Sequence, residues 1–524
     1  MILLTADQPR ALRLSNYQLH LIRKPLLHFG FLVHGIEVHT SNISLLDVIK
    51  NLAHLQLPRL KSLSIAIGLS SLSHSLATPS LSYLGRTVTR LEIKGNTFSE
   101  ALVTILISCP HLTHLCYRDN WMRRSATTTA LDESVTFPKL RFLAIESPNS
   151  DCTLVVSRSP HLRYLQYRNT AKVSISLASI LEACPTLECI KYSNQDTPLL
   201  STQDPLWWHD EQMKSDQVTG LHKLQVAITQ TPLLHDYWMA VDQHYKTLRC
   251  LHMRLSRECV FNDTISFPTM ASWRIPEQLQ EVTYHYTKTG IPQEHSEFAK
   301  RFLLPILKGC HQLTHVSISL INQPLPSDAW SLLVDLQHLT HLCIKSQHDS
   351  NKEIVTLLRE ISTRCIPLQE FAYQGNWFNY ARATESPLPP TIFGILTTIP
   401  TLRHITINAE CEGDIDKIIM SRCFKHLKRL PNLASLSFEC LWGFTSEQVF
   451  RSLRNLPKLH EVSFYNCGFL IEKGMLLLID RQPKLNKLSV ERCTIDQAAL
   501  VVSWEKYARS IIPHVVTCSN NIQG

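Results

Sequence analysis

The apolar positions of the chain recur in one short pattern. Leu456 to Phe464 reads Leu-Pro-Lys-Leu-His-Glu-Val-Ser-Phe, Leu430 to Phe438 reads Leu-Pro-Asn-Leu-Ala-Ser-Leu-Ser-Phe, and Gln482 to Val490 reads Gln-Pro-Lys-Leu-Asn-Lys-Leu-Ser-Val. Their leading leucines, at 433, 459 and 485, stand 26 residues apart. Aligned on Leu-x-x-Leu-x-Leu, with other apolar residues allowed, the chain yields seventeen units. They are led by Val33, Leu60, Val88, Leu112, Leu140, Leu162, Leu187, Leu221, Leu248, Leu279, Leu313, Leu339, Leu368, Leu402, Leu433, Leu459 and Leu485. In Leu112-Thr-His-Leu-Cys-Tyr, Leu115 and Tyr117 alternate with outward positions, the period-two signature of a strand with one buried face. The apolar period then lengthens to three and four. Ser99 to Ser108, Leu177 to Ala183, Ile354 to Ile361 and Gln448 to Leu456 therefore predict amphipathic helices. Thr97 with Glu100, and Thr445 with Gln448, have capping-box spacing at two of those starts.

Proline precedes the lead at Pro58, Pro110, Pro138, Pro160, Pro185, Pro367, Pro400, Pro431, Pro457 and Pro483. Having no N–H and a fixed φ, it predicts a helix stop at the same point of each unit. Cys109, Cys184, Cys310 and Cys365 fall two or three residues before a lead, where a small apolar side chain packs at a helix end. Spacings between leads run from 22 to 34 residues. The longest insertions follow strands and carry aromatics: Trp121 in Arg118 to Thr136, Trp207 and Trp208 in Ser193 to Gly220, and Trp377 in Gln374 to Pro390. Insertions at one point of a repeat map to one edge of the stack.

The runs Cys-Pro-His-Leu-Thr-His-Leu-Cys-Tyr at 109 to 117 and Cys-Pro-Thr-Leu-Glu-Cys-Ile-Lys-Tyr at 184 to 192 resemble ribonuclease-inhibitor-like leucine-rich repeats. They are most similar to the cysteine-containing type found in F-box proteins, including those of fungi. The mean spacing of about 28 residues lies near the top of the window of roughly 20–29 for this repeat class. The resemblance implies an α/β leucine-rich-repeat solenoid, with a curved parallel sheet on the concave face and helices on the convex face. Residues 1–29 read as an N-terminal cap or the remnant of a preceding module, 30–500 as the solenoid, and 501–524 as a C-terminal cap and tail, with no interior boundary. In the family, an N-terminal F-box recruits the Skp1 adaptor and cullin of a ubiquitin ligase while the repeats hold a protein substrate. Met1 to Gly30 is shorter than that three-helix module and lacks its Leu-Pro start and later Trp, so no F-box is assigned. The resemblance thus implies the substrate-recognition subunit of an F-box ligase, with an interaction scaffold or regulator outside any ligase as the alternative.

Composition narrows the function further. A net charge of +8, from 52 Lys and Arg against 44 Asp and Glu, is small for 524 residues and does not point to nucleic acid. No run of 18 apolar residues predicts a membrane span, and no signal peptide is evident. Sixteen cysteines spread through such a chain read as reduced thiols of the cytoplasm or nucleus. Phosphate-binding glycine loops, His-Glu-x-x-His and Gly-x-Ser-x-Gly are missing, so neither an enzyme nor a cofactor is expected. Cys109-x-His111-x-x-His114-x-Cys116 looks zinc-like, but its residues belong to different parts of the unit. His315 and His341 occupy equivalent positions in successive units, about 5 Å apart, which a polar ladder explains without metal.

The outward strand positions map a candidate partner surface. Arg90, Lys94, Arg118, Arg168, Lys191, Lys223 and Arg254 face outward in the second to ninth units, with Glu92 and Glu146. Later units present Glu281, Glu370, Glu439, Glu461 and Glu491, with Lys345 and Lys487. The expected face is basic toward one end and acidic toward the other, suited to a bipolar partner. The Arg90, Arg118 and Arg168 stripe would also suit a phosphate. Trp121, Trp207, Trp208 and Trp377 are the candidate apolar anchors.

Overall fold

The computed structural model describes residues 11–15, 33–40, 45–55, 57–67, 78–95, 100–119, 135–147, 151–169, 176–194, 220–228, 231–255, 274–286, 292–320, 325–346, 351–375, 388–409, 425–440, 452–453, 455–467, 478, 482, 484–491, 493 and 515–517. The chain divides into two compact units, a division that the evenly recurring leads do not mark. One comprises Met1–Cys250 with Glu258–Asn262, the other Leu251–Arg257 with Asp263–Gly524.

In the first unit the strands are β1 (Ala11–Ser15), β2 (Gly35–Thr40), β3 (Ser62–Ile67), β4 (Arg90–Gly95), β5 (His114–Asp119), β6 (Phe142–Ser147), β7 (Tyr164–Asn169), β8 (Cys189–Asn194) and β9 (Lys223–Ile228). Each pairs in parallel with its successor. The second unit holds nearly all of β10 (Cys250–Leu255), then β11 (Glu281–Tyr286), β12 (His315–Leu320), β13 (His341–Ser346), β14 (Glu370–Gly375), β15 (His404–Ala409), β16 (Ser435–Glu439), β17 (Glu461–Tyr465), β18 (Lys487–Glu491) and β19 (Val515–Thr517). From β11 onward these too pair in parallel with their successors. Strands β2 to β18 answer to the seventeen leads, and each starts two residues after its lead. β1 and β19 are further strands outside that count.

Backbone chemistry sets this regularity. At fifteen steps between leads the carbonyl one residue past a lead accepts the amides one and two residues past the next lead. Thr113 N and His114 N both donate to Thr89 O, at 2.8 and 3.1 Å, and His460 N and Glu461 N to Ala434 O, at 2.9 and 3.1 Å. Where a threonine follows the lead, its hydroxyl joins in: Thr113 Oγ1 donates to Thr89 O and Thr340 Oγ1 to Thr314 O, each at 3.0 Å. Across β16–β18 this register aligns Leu436 with Val462 and Leu488, and Phe438 with Phe464 and Val490. All six are fully buried, and no lead is more than 4% exposed.

Helices connect the strands. The predicted segments appear as Glu100–Ser108, Leu177–Ala183 and a longer Asn351–Thr363. Leu177–Ala183 buries Leu177, Ile180 and Leu181, and Ser176 Oγ caps it by accepting Ser179 N at 3.0 Å. Thr97, Thr445 and most of Gln448 to Leu456 lie outside the described residues.

The prolines act differently from a plain helix stop. Pro58, Pro110, Pro138, Pro160, Pro185, Pro400, Pro431 and Pro457 each occupy the second position of a turn closed by the lead amide, as where Leu112 N donates to Cys109 O at 3.0 Å. Pro138 does so without a helix directly before it. A fixed φ near −65° suits that position, and the missing N–H costs nothing there. Pro367 departs, since Leu368 N closes on Ile366 O.

The cysteines tie repeats together as buried donors. Cys184 Sγ donates to Val156 O and Ser159 O at 3.3 and 3.4 Å, and Cys310 Sγ to Pro276 O at 3.2 Å. Burial pushes the thiols of Cys109 and Cys310 up to about 12, so they stay protonated and unreactive. Cys467 and Cys493, eight residues past their leads, donate to Phe438 O and Phe464 O. Cys184, Cys310, Cys467 and Cys493 are in no disulfide. Leu436→Ala should cost about 2–5 kcal/mol in urea unfolding, because the cavity lies between two equally buried neighbours. A loss below about 1 kcal/mol would contradict this packing.

Candidate protein-binding face

The first, third and fifth residues of each strand point away from the leucine core, as the alternating burial along β10, β11 and β14 shows. They form three rows across the strands.

In the first unit this face is filled. The first row holds Arg90, His114, Phe142 and Tyr164 in register. His114 stacks on Phe142 at 5.6 Å between centroids, and Phe142 on Tyr164 at 4.5 Å. This half-exposed aromatic ladder was not singled out from the sequence. Its signal was an aromatic or imidazole ring two residues past three consecutive leads. In the middle row Glu92, Gln166, Lys191 and Gln225 are buried, at 6–7% exposed. Lys191 therefore lies on the expected face but is not a surface charge.

The last row carries Lys94, Arg118, Glu146 and Arg168. Lys94 Nζ lies 2.7 Å from Glu92 Oε1, and Ser64 Oγ donates to Glu92 Oε2 at 2.8 Å. Arg118 and Arg168 flank Glu146, each with a nitrogen 4.0 Å from its carboxylate. Gln166 Nε2 donates to the same group at 3.3 Å. The expected basic stripe is thus laced with two carboxylates that hold its side chains in place.

In the second unit the middle row begins with His252 of β10 and is then small and half-exposed from β11 to β18: Thr283, Ser317, Cys343, Ala372, Thr406, Ser437, Ser463 and Ser489. On one side of it stand Glu281, His315, His341, Glu370, His404, Ser435, Glu461 and Lys487. On the other stand Arg254 of β10, then His285, Ser319, Lys345, Gln374, Asn408, Glu439, Tyr465 and Glu491. Over β11–β14 the surface sinks into a cleft of about 260 Å³, lined by residues that include Glu281, Thr283, His315, Ser317, His341, Cys343 and Glu370.

The His315 and His341 rings stack at 3.8 Å, an arrangement that spends their faces on each other. Thr314 Oγ1 and Thr340 Oγ1 lie 2.8 and 2.7 Å from the Nδ1 atoms of His315 and His341. Among the described residues no group of three or more His, Cys, Asp or Glu could hold a metal ion. Farther along, Glu461 pairs with Lys487, Asn408 Nδ2 donates to Glu439 at 2.8 Å, and Ser489 Oγ donates to Glu491 at 3.2 Å. Burial lowers the Arg254 guanidinium, while burial and the Arg254 and Lys345 charges lower the His285 imidazole to about 4.

Trp121, Trp207, Trp208 and Trp377 lie outside the described residues. No helix among the described residues is long and apolar enough to cross a membrane.

No protein-family model matches the sequence, and no curated protein does. Among solved structures the chain is similar to that of a TLR13–ssRNA13 complex, at 13% identity and a TM-score of 0.32 over 97% of this chain. It spans 61% of the length of that protein. It is also similar to an internalin from Listeria monocytogenes, at 11% identity and a TM-score of 0.28 over 90% of this chain and 94% of that one. The repeating parallel strands and their buried leads make the fold an α/β leucine-rich-repeat solenoid.

Between pH 6.5 and about 4 the unfolded chain takes up a proton at His285 that the folded chain refuses, so stability falls on acidification through that window and levels off below it. His285→Asn should flatten that part of the profile when urea midpoints are compared at pH 7.5 and 5. Equal slopes in both proteins would contradict the buried-base arrangement.

Proposed function

We propose that the chain is a protein-binding leucine-rich-repeat module whose partner docks on the strand face of the second unit. The supporting observation is the run of eight small, half-exposed residues from Thr283 to Ser489, which lets a partner's backbone come close while charged side chains stand on both sides. Charges so arranged steer encounter and orientation more than they raise affinity. Glu439, Glu461 and Glu491 would meet the basic part of the partner, and Arg254 its acidic part. The tryptophans Trp121, Trp207, Trp208 and Trp377 would add apolar anchors.

The finer reading is the substrate-recognition subunit of an F-box-type ubiquitin ligase, with Skp1 and cullin as assembly partners. The cysteine-bearing repeats support it, through thiols that donate to carbonyls of the preceding repeat. Such a receptor performs no bond chemistry. It raises the effective concentration of substrate beside a ubiquitin-loaded enzyme.

Affinity capture with the full chain should retain Skp1 and cullin together with a protein substrate. Retention of a substrate without either would restrict the chain to a scaffold outside the ligase. Reversing Glu439, Glu461 and Glu491 together should weaken substrate capture by about tenfold at low salt, and by less as salt screens the field. Unchanged capture would remove this face from the interaction.

A further inference from the structure

We infer that the cleft across β11–β14 binds an extended segment of a protein partner carrying cations at positions i and i+4 and an acid at i+3. This rests on the protein-binding function proposed above and names the chemistry its second unit would select.

The cleft has a floor and one wall, and the row of side chains past the floor, outside the cleft's lining, serves as a second. Thr283 and Ser317 in the floor are too short to block a backbone and offer hydroxyls to its amides and carbonyls. The walls lie four residues apart along each strand, about 13 Å, which is room for one extended chain. One wall carries Glu281 on β11 and Glu370 on β14, with the stacked His315 and His341 between them. The facing wall carries the exposed Lys345 on β13.

Strand spacing converts these positions into a sequence requirement. Three spacings separate Glu281 from Glu370, about 14 Å, and two separate Glu281 from Lys345, about 10 Å. An extended segment crossing the strands advances about 3.4 Å per residue, so four residues span the carboxylates and three reach Lys345. Its side chains alternate sides, which sends i and i+4 to the carboxylate wall and i+3 to the lysine wall.

Both carboxylates of the wall have an imidazole beside them. His341 Nε2 lies 3.5 Å from Glu370 Oε2 and His252 Nε2 lies 3.0 Å from Glu281 Oε1, while burial and the neighbouring His315 lower the His341 imidazole. The stacked rings present a dry edge along which an arginine or lysine stem can lie. In the first unit the middle row carries the longer side chains Glu92, Gln166, Lys191 and Gln225 beside Cys116 and Ala144.

The test uses fluorescein-labelled peptides in a Ser/Ala background, titrated with the full chain at pH 7.5 and low salt and read by anisotropy. The probe carries Arg-Ser-Ala-Glu-Arg. Its controls are a permutation of the same composition and the charge-inverted Glu-Ser-Ala-Arg-Glu. Each exposed ion pair contributes about two- to fivefold, so the probe should bind about tenfold more tightly than the permutation. Glu281→Gln and Glu370→Gln should each reduce that preference, and Lys345→Gln should remove the benefit of the acid. Lys308→Gln, on the helix Pro292–Gly309, should leave it unchanged, with thermal melts confirming that all variants fold. Equal affinity for the three peptides, or a preference that survives Glu281→Gln and Glu370→Gln, would overturn the inference. Capture of a whole protein partner is read separately, so the wider function can stand when the cleft's sequence preference fails.

Discussion

Everything in this molecule depends on the carbonyl one residue past each lead. By accepting two amides from the next repeat it fixes where a strand starts, and the strand starts at that place in all seventeen repeats although the leads are 22 to 34 residues apart. Extra residues are absorbed between strands. A slip of one residue would turn every leucine outward, so burial of the leads and the shared carbonyl enforce the same register. The cysteine thiols and threonine hydroxyls add bonds to that scheme without altering it.

Register also builds the surface. Once strand positions align, side chains on the helix-free face stand in rows, and the size of the middle row decides what the face can do. Glutamine, lysine and glutamate occupy it at β4, β7, β8 and β9 of the first unit, where ion pairs and stacked rings hold the flanking rows. Serine, threonine, alanine and cysteine keep it low from β11 to β18 in the second, leaving a cleft walled by Glu281, His315, His341 and Glu370. Binding is therefore written in the residues that the core does not use.

Much of the fold was legible because its signal is periodic. Leu433, Leu459 and Leu485 recur at 26 residues, and burial tolerates no polar substitute there. Features set by pairwise contact were harder to read. Glu146 holds both Arg118 and Arg168 only because β5, β6 and β7 are neighbours, a relation that a list of outward residues does not display. Lys191 sits at an outward position yet is buried by what surrounds it. Cys467 and Cys493 carried a readable signal, the cysteine eight residues past the lead, that attention to cysteines before the lead passed over. The division at Cys250 leaves no mark in composition, since the leads at Leu221, Leu248 and Leu279 run through it.

The central claim is that the strand face, not the helix side, meets the partner. A photo-crosslinking residue placed singly at Ser317, Ser437 or Ser463 in the middle row, or at the exposed helix positions Lys308 and Glu353, tests it directly in cells. Adducts to another protein from the middle row alone are the predicted result. Adducts from the helix positions alone, or from none of the five, would contradict it.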